Sequence, residues 1–106
     1  MILATTDSVH GAEVIETLGL VCGSTVRARH IGKDVQAVMQ NFVGGEIPHY
    51  TKLLGEAREQ ALDRMIDQAR ALGADAVVTM RFSTAEIATG ACELVAYGTA
   101  VKLRRG

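Results

Sequence analysis

Residues 48 to 72 read PHYTKLLGEAREQALDRMIDQARAL, the longest regular pattern in the chain. Tyr50, Leu54, Ala57, Ala61, Met65 and Ala69 fall on one stripe at helical spacing, widened by Leu53, Leu62 and Ile66. Lys52, Glu56, Glu59, Asp63 and Asp67 take the opposite side. That arrangement predicts an amphipathic helix with one buried face. Pro48 suits the first helical position, where a missing N–H costs no intrahelical bond. Gly73 stands where a left-handed C-terminal cap belongs. Lys52–Glu56, Arg64–Asp67 and Asp67–Arg70 are spaced for surface ion pairs.

Strand material lies on both sides of this helix. Downstream, DAVVTMRF sets Val77, Thr79 and Arg81 against Ala76, Val78, Met80 and Phe82. CELVAYGTAVKL alternates Cys92, Leu94, Ala96, Gly98 and Ala100 with Val95, Tyr97, Thr99, Val101 and Leu103. Two such runs joined by the short connection TAEIATGA pair as antiparallel strands. Upstream, residues 13–31 are rich in β-branched side chains and read as one long bent strand, or as two around Gly23. Gly19 and Gly23 mark a bulge or a close backbone approach. ILATT at the start is a further short strand. KDVQAVMQNF spaces Val35, Val38, Met39 and Phe42 for a short helix, stopped by Gly44-Gly45. Strands and helices segregated in this way give an α+β fold: an antiparallel sheet packed against one long helix plus a short helix. The 106 residues make a single domain, 1–106.

Composition narrows the function classes. Hydrophobic residues make up 48% and charged residues 22%, which excludes a disordered chain. The apolar set is mostly Ala, Val and Leu, with no Trp, two Phe and two Tyr against eleven Gly, so the core is thin and subunits are expected to share their burial. A formal net charge of −1 argues against a nucleic-acid partner. Two small basic clusters, Arg27, Arg29, His30 and Lys33, then Lys102, Arg104 and Arg105, read first as solvated charges and second as anion sites. No apolar run is long enough for a membrane span, and MILATTD lacks the pattern of a secretory leader, so a cytoplasmic location is expected.

Chemistry is less legible. Cys22 and Cys92, with His49, are the metal-ligand candidates, for a soft or borderline ion. No CxxC or HxxxH spacing joins them, or adds His10 or His30. At strand positions among apolar neighbours, both cysteines read first as buried free thiols. The corner NFVGGEIPHY, residues 41–50, gathers Glu46, His49 and Tyr50, which could serve an enzyme pocket between subunits. Its Gly pair and Pro48 need only the punctuation of two helices.

Taken together, an early TT, GLVCGSTV, FVGGE followed by Tyr50, LLGEAREQAL, LGADAVVTMRF and AYGTAVKL resemble the YbjQ family over nearly the whole chain. These small bacterial and archaeal proteins are often labelled heavy-metal-binding. The resemblance implies a dodecin-like α+β subunit with an antiparallel sheet, assembled with copies of itself as a pentameric ring, and it supplies no catalytic residue. The expected function is a non-catalytic, ring-forming cytoplasmic protein binding a metal ion or small ligand at subunit boundaries. Its alternatives are an enzyme using Glu46, His49 and Tyr50, and a purely structural or interaction module.

Overall fold

The structure, a computed structural model, describes residues 1–28, 48–88 and 91–105. Its elements in chain order are β1 (Ile2–Leu3), β2 (Ala12–Ala28), α1 (Pro48–Ala71), β3 (Ala76–Ala88) and β4 (Ala91–Arg105). The short helix expected over KDVQAVMQNF, with Gly44-Gly45, lies outside the described residues.

The four strands form one sheet in the order β1-β3-β4-β2. β4 pairs antiparallel with both β2 and β3, whereas β1 runs parallel to β3, so the sheet is mixed rather than wholly antiparallel. The parallel pair arises because the long crossover through β2 and α1 returns the chain beside β1 in the same direction.

Helix α1 packs on one face. Ala61, Met65 and Ala69 are buried against Val21, Val77, Met80, Ala96 and Ala100, with Leu62 partly buried there and Ala57 buried one turn earlier, as the stripe predicts. Leu54 departs from it and is exposed. Small residues on both surfaces bring the backbones close. A Cβ on Gly23 would lie 2.2 Å from the Ala61 carbonyl oxygen and 2.4 Å from the Met65 nitrogen, so only glycine fits beneath the helix. The bend falls instead at Gly19, whose φ of 128° coincides with a register shift between Thr17 and Gly19. β2 is therefore one long strand with two glycines in different roles.

The helix closes as expected at Gly73, which has a φ of 78°. The Gly73 amide donates to the Arg70 carbonyl (2.9 Å) and the Ala74 amide to the Ala69 carbonyl (3.1 Å), the paired bonds of a Schellman cap. Two polar residues of α1 also clasp the outer edge of β2. The Cys22 amide donates to Gln68 Oε1 (2.8 Å), and Arg64 Nη1 donates to the Ser24 carbonyl. Arg64 thus covers a sheet edge, a role its spacing with Asp67 did not suggest. Arg104 with Glu13 is the ion pair among the described residues; none of the three helix pairs expected from spacing is formed there.

β3 holds the largest departure from simple alternation. Thr79 has a φ of 52°, the one positive value at a non-glycine residue among the described residues, and the register against β4 shifts between Val78 and Arg81. The extra residue changes the side-chain phase. Val77 and Met80 both join the helix-side core, while Ala76 and Val78 pack with Val101, Ile2, Val9 and Leu103 on the other face. Phe82, paired with Ala96, follows Met80 to the helix side. Strand β3 also runs on to Ala88 and β4 starts at Ala91, so most of TAEIATGA is paired strand rather than connection. Residues 89–90 between them lie outside the described residues.

Candidate functional site

The sheet register fixes where the two cysteines stand. Cys22 pairs with Tyr97, which in turn pairs with Arg81; Cys92 pairs with Arg27 on one side and Glu86 on the other. Directly paired residues share a face, and neighbours along a strand alternate. Val21 lies in the helix-side core, so Cys22 belongs to the opposite, open face with Leu20, Ser24 and Val26. Arg27 and Cys92 belong to the helix side, where Arg27 Nη2 donates to Gln60 Oε1 (2.9 Å).

Both thiols are free and exposed, so the expectation of buried thiols is corrected. The cause is the sheet's own shape. Helix α1 covers β2 and only part of β4, and every residue of β3 from Arg81 to Ala88 is exposed. A cysteine beyond the helix's reach, or on the face away from the helix outside the Ala76, Val78 and Val101 cluster, therefore stays accessible in one chain.

A metal ion held by two thiolates needs their sulfurs about 4 Å apart, each about 2.3 Å from the ion. Cys22 and Cys92 are offset by five strand positions, on the order of 17 Å, and point to opposite faces. They do not fit one ion within a chain. Among the described residues no group of three or more His, Cys, Asp or Glu side chains converges as a metal site. His10 is exposed on the turn before β2, while His49 and Tyr50 belong to the first turn of α1 and their side chains lie outside what the structure describes. His30 and Glu46 also lie outside the described residues, as do Arg29 and Lys33 of the first basic cluster.

A second constellation is one that sequence reasoning missed. The strained Thr79 bulge is held by the N-terminal segment: the Thr79 amide donates to the Thr6 carbonyl (2.9 Å), the Met80 amide to the Ala4 carbonyl (3.0 Å) and the Ala4 amide to the Val77 carbonyl (2.9 Å). Arg81 Nη1 adds bonds to the Thr5 carbonyl (2.6 Å) and to the Met80 carbonyl (2.9 Å). Its acceptors are the main-chain carbonyls of Ala4, Thr5 and Thr6, which carry no side-chain signal in the sequence, and nothing local connects them to Arg81. Its visible work is structural, since each of these bonds ties backbone to the bulge.

The family model described as "Putative heavy-metal-binding" matches residues 1–104. The chain belongs to the YbjQ family. Relatives named UPF0145 protein are 57% identical in Archaeoglobus fulgidus, over 98% of this chain and 96% of that one, and 50% identical in Thermosipho africanus, over 99% and 97%. A crystal structure of a protein of unknown function from Pediococcus pentosaceus covers 98% of each chain with a TM-score of 0.64 at 13% identity, a likeness of fold alone. The blocks that carry the YbjQ resemblance now have a physical reading. GLVCGSTV seats the helix through Gly23 and through buried Thr25, whose Oγ1 donates to the Ala57 carbonyl (3.2 Å). AYGTAVKL places Gly98 where a Cβ would lie 2.5 Å from Val77 Cγ1. Among the described residues no helix is long and apolar enough to cross a membrane.

Proposed function

We propose that this YbjQ-family chain is a non-catalytic subunit of a cytoplasmic homo-oligomer, a ring of five copies, which takes up a metal ion or small ligand at the boundaries between copies. The observation that carries the reading is the bare half of the sheet. From Arg81 to Ala88, β3 is exposed on both faces, and among the described residues no strand pairs with its outer edge beyond the reach of β1. On the open face Leu20 is 74% exposed and Val26 52%, beside exposed Tyr97, and Phe82 and Ile87 add apolar surface along β3. Apolar surface on this scale beside an unpaired strand edge is favourably covered by protein. The extents of 56 × 25 × 16 Å fit an arm that neighbours cover better than a self-sufficient globule.

Light scattering at micromolar concentration tests the assembly. A mass five times that of the chain is expected, and a monomer mass would end the reading. Ligand uptake is tested by native mass spectrometry of the purified protein, where a retained ion or small molecule is expected on the assembled species and absent from dissociated chains.

A further inference from the structure

We infer that Cys22 and Cys92 are two independent thiol positions that never serve one metal ion within a chain, so the family's heavy-metal description does not correspond to an intrachain dithiolate in this protein. Three observations carry this. The two residues sit on opposite faces of one unbroken β2–β4 ladder, with the pairs Gly23–Ala96, Ser24–Val95, Thr25–Leu94 and Val26–Glu93 between them, so no side-chain rotation brings the sulfurs together. Their offset of about five strand positions is several times the sulfur separation that a shared ion tolerates. Among the described residues each thiol also lacks helpers in its own chain. Cys22 has Leu20, Ser24 and Tyr97 around it on the open face, none of them a good soft-metal ligand. Cys92 has one carboxylate beside it, Glu86, but Arg27 stands directly across on its other side and opposes a cation. Moving either cysteine to the other's face would require a one-residue register slip along the whole β2–β4 ladder.

The consequence for binding is specific. A soft ion held by either thiol takes the rest of its ligands from another copy or from solution, never from the other cysteine of the same chain. The inference concerns one chain and does not rest on the proposed ring.

Two measurements test it on the full chain. In the first, zinc and copper(I) are titrated separately into wild type, Cys22→Ser, Cys92→Ser and an equimolar mixture of the two variants, with a competing chelator as readout. Each single variant is expected to keep the response of its remaining thiol within about twofold, as for independent sites. Loss in both variants with recovery in the mixture also agrees, because it places the two thiols in different copies. One ion per chain that is lost from both variants and not recovered by mixing overturns the inference. In the second, wild type is treated with dibromobimane, in which each thiolate displaces one bromide, and digested chains of monomer mass are mapped. No bimane bridge between the Cys22 and Cys92 peptides is expected, and finding that bridge within one folded chain overturns the inference without relying on any variant. A monomer mass in light scattering removes the ring proposal but leaves both readouts intact.

Discussion

Single residues decide how closely the layers approach. Gly23 lies under α1 with backbone atoms of Ala61 and Met65 where a Cβ would go. Gly23→Ala is therefore expected to lift the helix and cost about 3 kcal/mol, at the high end of overpacking, because the obstructing atoms are backbone. Urea unfolding with an unchanged slope checks it. Thr79 is the opposite case, a β-branched residue held at a φ of 52° on the surface. Thr79→Gly relieves about 1–3 kcal/mol of strain and costs about 0.5–1 kcal/mol in backbone entropy, so a net gain of about 1 kcal/mol is expected in the same measurement. A loss there would mean that the threonine side chain contributes more than its exposure suggests.

At the scale of elements, caps and clasps hold the helix and the bulge in place. Gly73 has open space around it, the nearest atoms being the end of the Lys102 side chain. Gly73→Ala should thus cost only the left-handed backbone strain, about 1–2 kcal/mol, read as a lower unfolding midpoint with the fold retained. The N-terminal segment is tied to β3 by the carbonyls of Ala4, Thr5 and Thr6. Arg81→Ala removes the side-chain bonds to Thr5 and Met80, and hydrogen exchange at the Thr79 and Met80 amides is expected to quicken about tenfold, as for a loss of roughly 1.4 kcal/mol locally. Unchanged exchange would show that the backbone bonds suffice. The helix, its stripe and its cap were readable because they depend on residues three, four or five apart. The phase of β3 was not: strict alternation predicts Thr79 and Met80 on opposite faces in step with Val77, and the bulge is imposed by the segment from Ala4 to Thr6, more than seventy residues away.

For the whole molecule, the exposed part of the sheet is where the proposed assembly is tested. Leu20→Glu combined with Ile87→Glu alters two side chains that are exposed in the single chain, so the fold should survive while the proposed assembly weakens by on the order of a hundredfold, a loss of about 2.8 kcal/mol. Sedimentation against concentration measures it, with far-UV circular dichroism to confirm the fold. An unaltered mass distribution would place the contacts elsewhere. The candidate site was only partly legible for the same reason. Cys22 and Cys92 could be named as thiols, but their exposure depends on how much sheet one helix can cover.

Local periodicity determined the helix from Pro48, its buried stripe, its stop at Gly73 and the alternation of β4, because those signals reside in neighbouring residues, while the family was carried by the order of sequence blocks along nearly the whole chain. Only the tertiary structure decided that β1 runs parallel to β3, that Gly19 bends while Gly23 yields to the helix, that Thr79 reverses the phase of β3, and that the two cysteines occupy opposite faces. Each of those outcomes is set by contacts between distant segments, and close packing leaves room for one arrangement of backbone at each crossing.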